Sequence, residues 1–549
     1  MSTSFAHPYT FDPKYTRSVA YFSMEYAIHQ PLKIYAGGLG YLAGSHMRSA
    51  AQLLQNLVGV GILWKYGYYD QVRQPDQRMG VSFVEKVHGF LESTNIKFKI
   101  RVNHSTVTVT AYYLPPHHFG TVPMFLLSTD LPENDYLAQT ITHKLYDPNP
   151  ETRIAQSILL GIGGVRLLDE LGMIPDIYHL NESHALPLVF ALYEKWQDWQ
   201  KVQEHLVFTN HTPEAGGNQK TDMRFLERLS FFGQVPTDEV RRYFQPEGDI
   251  LDHTLAALQL AKVSNGVSRM HTRTLRQMYS NRPQLEPIVS ITNAQNEHYW
   301  ADARLYEHLR NQDDEAITHR KKHLKHPLLE EIADQTGKLY KPEVLTIVWA
   351  RRFAGYKRAD LLLHDLERFH RLIANSAFPV QFIWAGKPYP ADYQGIGIFD
   401  RIVDLSKHYP NCAILTGYEL RLSKILKQGA DVWLNTPRVT REASGTSGMT
   451  AAMNGAINVS TLDGWIPEFI RDKVNGFVIP PVDSQLSTFE QDQADAGQLY
   501  DLLEQVVIPM YYQQPAQWLS VMKNSLDDVV PYFDSDRMAA EYYDRLYNG

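Results

Sequence analysis

Short apolar runs alternate along the chain with longer segments whose apolar residues recur at helical spacing. The runs predict strands at residues 19–22, 175–181, 206–210, 287–293, 344–350, 378–384, 413–416 and 431–434. The periodic segments predict helices at 41–54, 151–172, 185–196, 254–279, 300–340 and 498–546. Strands that alternate with helices indicate parallel, doubly wound sheets. Residues 57–69 and 82–127 look β-rich instead, which is typical of hairpins or an inserted sheet.

The alternation of strands and helices occurs in both halves of the chain. It predicts an α/β fold with two Rossmann-like domains facing a central cleft, the architecture called GT-B. We expect the N-terminal Rossmann-like domain over residues 1–299, with the β-rich insertion at 82–127. A charged helical connector over 300–340 then leads to a second such domain over 341–497. The helices of 498–549 are expected to pack back across the seam between the domains.

Composition narrows the classes of function. The 549 residues are 44% hydrophobic and 21% charged, and their net charge of −8 argues against a nucleic-acid partner. Cys412 is the single cysteine, so we predict neither disulfides nor a cysteine-based metal site, and no acidic run indicates a metal cage. The N-terminal residues lack a signal-peptide pattern, and no apolar run reaches the roughly 20 residues that span a bilayer. We therefore expect a cytoplasmic protein with no membrane partner.

Two loops of small residues, each between a predicted strand and a predicted helix, offer N–H groups to an anion. The first is the glycine cluster at 37–40, and the second covers 442–448. Arg351, Arg352 and Lys357 follow a strand in the same half as the second loop, which predicts a cationic pocket for a phosphate or diphosphate. Tight turns and surface salt bridges are the alternative interpretation of the same residues.

Longer motifs carry a specific resemblance, and they run in one order through nearly the whole chain. They are YFSMEYAIHQPLKIYAGGLGYLAG, LLGIGGVRLL, HLNESHALPL, FTNHTPEAG, NGVSRMH, ITNAQNEHYW, WARRFAGYKRADLLL, WAGKPYPAD and DVWLNTPRVTREASGTSGMTAAMNGAINVSTLDGW. With these motifs the chain resembles the α-glucan (glycogen/maltodextrin) phosphorylases, especially their short bacterial form. The resemblance implies a GT-B fold and retaining transfer of an α-glucosyl unit.

The resemblance also implies roles for individual residues. The histidine whose backbone carbonyl lies near the anomeric carbon corresponds to His211, and the cations that hold the donor phosphate correspond to Arg352 and Lys357, with Arg351 as a further cation. Trp300 corresponds to an aromatic residue that lines the cofactor pocket. The remaining implied contacts, to sugar hydroxyls and to phosphates, are Gly37, Gly38, Leu39, Gly40, Asn293, Glu442, Ala443, Ser444, Gly445, Thr446, Ser447 and Gly448.

One departure from the family pattern changes the expected chemistry. The family's loop ends in Gly-Met-Lys, and that lysine carries pyridoxal phosphate (PLP) as a Schiff base, whereas this chain has Thr450. A hydroxyl cannot form an imine, and Lys424 and Lys427 lie on an earlier predicted helix, so no neighbouring lysine is expected to replace it. A lesser departure is Ala294, where the family usually has glycine. We therefore expect no covalent cofactor.

Three hypotheses follow. In the first, the chain is a PLP-independent retaining glycosyltransferase that uses a nucleotide sugar or a sugar phosphate as donor and an α-glucan or another glycosyl acceptor. In the second, it is an α-glucan phosphorylase that holds PLP without a covalent bond. In the third, it is a catalytically silent glucan-binding homologue. Because family members often form homodimers, a dimer is the default expectation in each case.

Overall fold

The computed structural model describes residues 5–213, 217–282, 285–483 and 485–548, so the last three residues of the FTNHTPEAG motif, 214–216, lie outside the described residues. The chain forms two compact units. Unit 1 contains Met1–Tyr69, Phe83–Asn296 and Ser535–Gly549, and unit 2 contains Asp70–Ser82 and Glu297–Asp534. Each unit thus takes one segment from a distant part of the chain. The domain boundaries inferred from the sequence stay a prediction.

Unit 1 is built on one nine-stranded sheet. Strands are numbered along the whole chain, and those of this sheet are β1 (Val19–Phe22), β2 (Leu57–Ile62), β5 (Glu92–Val102), β6 (Ser105–Leu114), β7 (Met124–Ser128), β8 (Ile177–Asn181), β9 (Leu206–Asn210), β12 (Val263–Gly266) and β13 (Ile288–Ser290). Their spatial order is β13-β12-β9-β8-β1-β2-β7-β6-β5, with β5 and β6 antiparallel at one edge. The β-rich segment of the sequence therefore extends the main sheet. A separate small ladder pairs β10 (Lys220–Asp222) with β11 (Ile250–Asp252).

The helices of unit 1 connect the parallel strands. They are α1 (Gly38–Gln52), α2 (Pro116–Phe119), α3 (Tyr136–Thr140), α4 (Pro150–Ile158), α5 (Gly164–Glu170), α6 (Leu188–Trp196), α7 (Trp199–Glu204), α8 (Met223–Arg228), α9 (Thr237–Phe244), α10 (His253–Leu260), α11 (Arg269–Met278) and α23 (Ser535–Tyr542). A π-helical turn, Leu159–Gly163, joins α4 to α5. The predicted helix at 151–172 is therefore confirmed as one helical segment with an irregular centre.

One predicted element of unit 1 is wrong. Residues 254–279 are not a single helix, because β12 lies between α10 and α11 and pairs in parallel with β9 and β13. The strand is only four residues long and reads Val-Ser-Asn-Gly, so it has no apolar run. Ser264 and Asn265 are buried because β12 lies between β13 and β9. That position is set by tertiary structure, which local sequence pattern does not encode.

Unit 2 is built on a six-stranded, fully parallel sheet. Its strands are β14 (Leu345–Ala350), β15 (Val380–Ala385), β16 (Cys412–Leu415), β17 (Val432–Asn435), β18 (Ile457–Ser460) and β19 (Phe477–Val478), in the order β16-β15-β14-β17-β18-β19. Counted from β14, this is the Rossmann order 3-2-1-4-5-6. The predicted strands of the second half are confirmed, and their near-continuous apolar runs are explained by burial on both faces.

The helices of unit 2 cover both faces of its sheet. They are α12 (Glu297–Trp300), α13 (Ala303–Arg310), α14 (Asp314–Thr336), α15 (Leu366–Ile373), α16 (Tyr393–His408), α17 (Leu420–Gly429), α18 (Thr446–Ala452), α19 (Ile466–Phe469), α20 (Thr488–Leu502), α21 (Ile508–Gln513) and α22 (Pro515–Phe533). A hairpin of β3 (Asp70–Arg73) and β4 (Met79–Ser82) also belongs to this unit. Two parallel-sheet α/β units confirm the predicted fold class.

Candidate functional site

The switch point of the unit 2 sheet lies between β14 and β17, where the chain begins to build the sheet in the other direction. Ligands of Rossmann folds bind beyond the strand ends at this point. Arg351 follows β14, and its guanidinium donates hydrogen bonds to Asn435 Oδ1 at the end of β17 and, at 3.4 Å, to Ser447 Oγ. Asn435 in turn donates to Asn458 Oδ1 at 2.7 Å. One polar network thus joins the ends of β14 and β17 to Asn458 inside the neighbouring strand β18.

A carboxylate lies among the cations of this network. Glu442 Oε2 is 2.7 Å from Lys357 Nζ and 3.5 Å from Arg351 Nη1, with all three side chains at most 13% exposed. Burial alone would raise the pKa of Glu442, but the charges of Lys357, Arg351 and the exposed Arg352 hold it below its usual range. Glu442 is therefore ionised, and its single negative charge faces two nearly buried cations, Lys357 and Arg351. The excess positive charge suits a bound phosphate.

The loop that follows Glu442 is fixed from behind by Asp463. The Asp463 carboxylate accepts the backbone N–H groups of Arg441 and Glu442 at 3.0 and 2.8 Å. Burial raises the pKa of Asp463 to about 7. Gly445 has φ +88°, a conformation that favours glycine, and it immediately precedes α18. The positions of the loop residues are therefore set by the fold and do not require a ligand.

The loop leads directly into helix α18, which has seven residues. Ser444 is buried, and its hydroxyl has no hydrogen-bond partner within the part of the chain that the structure describes. A buried, unpaired hydroxyl is unfavourable unless a ligand completes it. Ser444 thus has the environment expected of a contact to a sugar hydroxyl.

Thr450 lies inside α18 and is fully buried. Its hydroxyl donates to the carbonyl oxygen of Ser447 at 3.1 Å. One amide nitrogen, Asn454 Nδ2, donates both to the Thr450 carbonyl at 2.8 Å and to the Trp300 carbonyl at 2.9 Å. The structure therefore brings together Thr450 and Trp300, the two residues that the resemblance associates with a cofactor.

In unit 1, a carboxyl group of the protein itself occupies N–H groups of the predicted glycine loop, and burial raises the pKa of that group, Glu25. Glu25 Oε2 accepts the backbone N–H groups of Ala36 at 2.6 Å and Gly37 at 2.9 Å, and Tyr146 donates to Glu25 Oε1 at 2.8 Å. A Cβ atom at Gly40 would lie 2.7 Å from Glu25 Oε2, which explains why this position is glycine. The N–H of Gly37 is thus used by the protein's own carboxylate, a contact that sequence reasoning missed.

His211 follows β9 and is held by two residues that follow β8. Glu182 Oε1 accepts the backbone N–H of His211 at 2.5 Å and the hydroxyl of Thr212 at 3.1 Å, and the His211 ring bonds to Asn181 Oδ1 at 2.7 Å. Burial lowers the pKa of His211 to about 3, so the ring is neutral. Glu182 has φ +68°, a strained backbone conformation of the kind that concentrates at functional sites. Sequence reasoning assigned Glu182 no role, although its position after a strand was a signal.

The predicted site residues of unit 1 and their partners lie at the carboxyl ends of its parallel strands. Asn181 Nδ2 donates to Ser23 Oγ at 3.0 Å across the ends of β8 and β1, which form the switch point of this sheet. Asn293, after β13, is buried, and its Oδ1 has no hydrogen-bond partner among the described residues. Unit 1 therefore carries the predicted residues 37–40, His211 and Asn293, and unit 2 carries all the others.

No group of three or more His, Cys, Asp or Glu side chains in 5–213, 217–282, 285–483 and 485–548 has the geometry to hold a metal ion. Within the same residues, no helix combines the length and the apolar character that crossing a membrane requires.

Comparisons with known proteins agree with the motifs. Residues 252–477 match the family model described as carbohydrate phosphorylase. The chain is 33% identical to the maltodextrin phosphorylase of Thermococcus litoralis, over 98% of this chain and 71% of that protein. It is 31% identical to the glycogen phosphorylase of Aquifex aeolicus, over 98% of this chain and 87% of that protein. An uncharacterized protein of Methanocaldococcus jannaschii is 46% identical over 97% of this chain and its own full length.

Proposed function

Because the chain belongs to the carbohydrate phosphorylase family, a family of hexosyltransferases, we propose that it is a retaining α-glycosyltransferase. The donor is a sugar phosphate or a nucleotide sugar, and the acceptor is an α-glucan or another glycosyl acceptor. The names of the relatives, maltodextrin phosphorylase and glycogen phosphorylase, support an α-glucan as the acceptor.

The observation that carries the proposal is the charge balance at the unit 2 switch point. Lys357 and Arg351 are nearly buried and share one carboxylate, that of Glu442. One carboxylate balances only one of these two buried cations, and a bound phosphate would supply the second counterion. The same geometry stabilises the charge that develops on a departing phosphate.

The predicted cations and His211 each have a role in the proposed reaction. Arg352 and Lys357 hold the donor's phosphate as the glycosidic C–O bond breaks, with Arg351 fixing the loop through Ser447. The backbone carbonyl of His211 eases the oxocarbenium-like charge on the sugar. Glu182 is a positioning residue, since it holds the His211 N–H. The acceptor attacks from the face that the phosphate leaves, which retains the anomeric configuration.

We further propose that the reaction is independent of PLP. Thr450 supports this, because its hydroxyl cannot form an imine and is engaged with the Ser447 carbonyl. A nucleotide-diphosphate sugar brings two phosphates of its own, so a donor of this class would not need the phosphate of a cofactor.

The test is glucosyl transfer by protein that is shown by mass spectrometry to be free of PLP. UDP-glucose, ADP-glucose and glucose 1-phosphate are offered separately with a maltooligosaccharide acceptor, and the products are followed by mass and by the NMR signal of the new anomeric proton. Extension of the acceptor by an α-linked glucose from one donor supports the proposal. Activity that appears only after PLP is added establishes the non-covalent phosphorylase instead, and glucan binding without any transfer establishes the silent homologue.

A further inference from the structure

The interior of unit 2 contains a lysine that the proposed reaction does not use. Lys427 belongs to α17 and is fully buried. Its Nζ lies 3.8 Å from the centre of the Trp300 ring. Burial holds the pKa of Lys427 well below its usual range, which favours the uncharged amine. The amino group of Lys427 therefore packs on the face of a buried indole.

The same indole belongs to the cluster around Thr450. The Trp300 carbonyl and the Thr450 carbonyl accept hydrogen bonds from one nitrogen, Asn454 Nδ2. Trp300 is also the residue that, by the resemblance, corresponds to an aromatic residue lining the family's cofactor pocket. Lys427, although it lies on an earlier helix than Thr450, thus occupies the neighbourhood in which a cofactor would bind.

The residues around Thr450 do not fit PLP. A cavity that holds a six-membered aromatic ring has a volume of about 150 Å³. A void of that size would leave its walls exposed, yet Trp300 is 1% exposed and Lys427, Thr450 and Asn454 are each 0% exposed. These residues therefore do not line an open cavity of that size.

We propose that Lys427 occupies space that the family gives to its cofactor, with its amino group over the ring of Trp300. The inference rests on the PLP-independent function proposed above and explains how the pocket is closed. With Thr450 the chain lacks the lysine that would bind PLP covalently, and Lys427 occupies the space that PLP would need. Two positions on different helices together exclude PLP.

The test uses matched substitutions at both positions. Thr450→Lys restores an amine at the family's anchor position. Combined with Lys427→Ala it also opens the space over Trp300, whereas combined with Lys427→Met it leaves an unbranched chain of similar length that keeps the space closed. Wild type and the three Thr450→Lys proteins are incubated with PLP, reduced with borohydride, digested and analysed by peptide mass spectrometry.

The chemistry makes the readout independent of glucosyl transfer. A lysine nitrogen attacks the aldehyde carbon of PLP, a C=N bond forms with loss of water, and hydride from borohydride reduces it to a stable C–N bond. We expect pyridoxyl label at position 450 to be at least tenfold greater in Thr450→Lys/Lys427→Ala than in Thr450→Lys or in Thr450→Lys/Lys427→Met. Equal labelling of the three proteins would overturn the inference, and so would label on Lys427 of the wild type, because that result needs an open pocket.

A second measurement covers the case in which the double variants fail to fold. In Lys427→Ala alone, pyridine should raise the thermal midpoint by filling the space over Trp300, and in Lys427→Met it should have no effect. No effect of pyridine on either variant overturns the inference. Wild-type glucosyl transfer is measured separately. If transfer occurs but the labelling contradicts the expectation, only this inference fails; if the labelling is as expected without transfer, only the proposed function fails.

Discussion

Lys357→Met tests whether the cation cluster is a buried, interacting unit. The Nζ–Oε2 distance to Glu442 is 2.7 Å and both side chains are 13% exposed. At an effective dielectric constant of about 20 the gross attraction is about 6 kcal/mol, most of which is offset by desolvation. Glu442 keeps Arg351 at 3.5 Å, so the variant does not leave an isolated charge. We therefore expect a loss of about 2 kcal/mol in the free energy of unfolding.

The assay is urea unfolding of wild type, Lys357→Met, Glu442→Gln and the double variant, which together form a double-mutant cycle. The chain offers a control pair of nearly the same length, Lys407 and Asp404 at 2.8 Å, whose side chains are 43% and 47% exposed. The coupling energy of the control pair should be below about 0.5 kcal/mol, because water screens exposed ion pairs. For Lys357 and Glu442 we expect about 2 kcal/mol. Equal coupling energies in the two cycles would refute the reasoning.

Three further predictions concern the supports of the site. Burial raises the pKa of Asp463 to about 7, so the folded protein keeps a proton that the unfolded chain loses near pH 4. The free energy of unfolding should therefore fall by up to about 4 kcal/mol as the pH rises from about 4 to 7. In Asp463→Asn this dependence on pH should be weaker. Unchanged slopes in urea titrations would contradict this. At Gly386, φ is +152° and a Cβ would lie 1.8 Å from the Arg351 carbonyl oxygen, so Gly386→Ala should lower the free energy of unfolding by about 3 kcal/mol or more. Gly397 lies inside a helix with open space around it, so Gly397→Ala should raise the free energy of unfolding by about 0.5–1 kcal/mol. Similar thermal midpoints for the two variants would be inconsistent with this geometry. Glu25→Gln should weaken the two hydrogen bonds from the glycine loop by about 1 kcal/mol and speed hydrogen exchange there, and unchanged exchange would argue against that role.

The sequence predicted the parallel sheets because their strands are apolar runs buried on both faces. The strand before Arg351 was placed to within one residue at its start. Once β14 and β17 were recognised, the topology of a doubly wound sheet was enough to bring Arg351 near the loop that contains Glu442. The fold class and the neighbourhood of the cations were therefore available from pattern alone.

The rest depends on tertiary contacts that local pattern does not encode. β12 has no apolar run, and its Ser264 and Asn265 are buried only because β9 and β13 flank them. The carboxylates of Glu25 and Asp463 support backbone loops, and a carboxylate that accepts N–H groups looks in sequence like any other acidic residue. Lys427 could be placed on a helix from its spacing, but the direction of its side chain toward Trp300 could not.

The central claim is that the cations of unit 2 hold the donor's phosphate during transfer. The most direct measurement is kcat/KM for glucosyl transfer by PLP-free wild type, by Arg352→Ala and by Arg421→Ala, a control at a 71% exposed arginine of the same unit. We predict a loss of about 100-fold or more for Arg352→Ala, since one stabilising group at a developing charge contributes about that much, and no change for Arg421→Ala. Equal kcat/KM values in the three proteins would contradict the account.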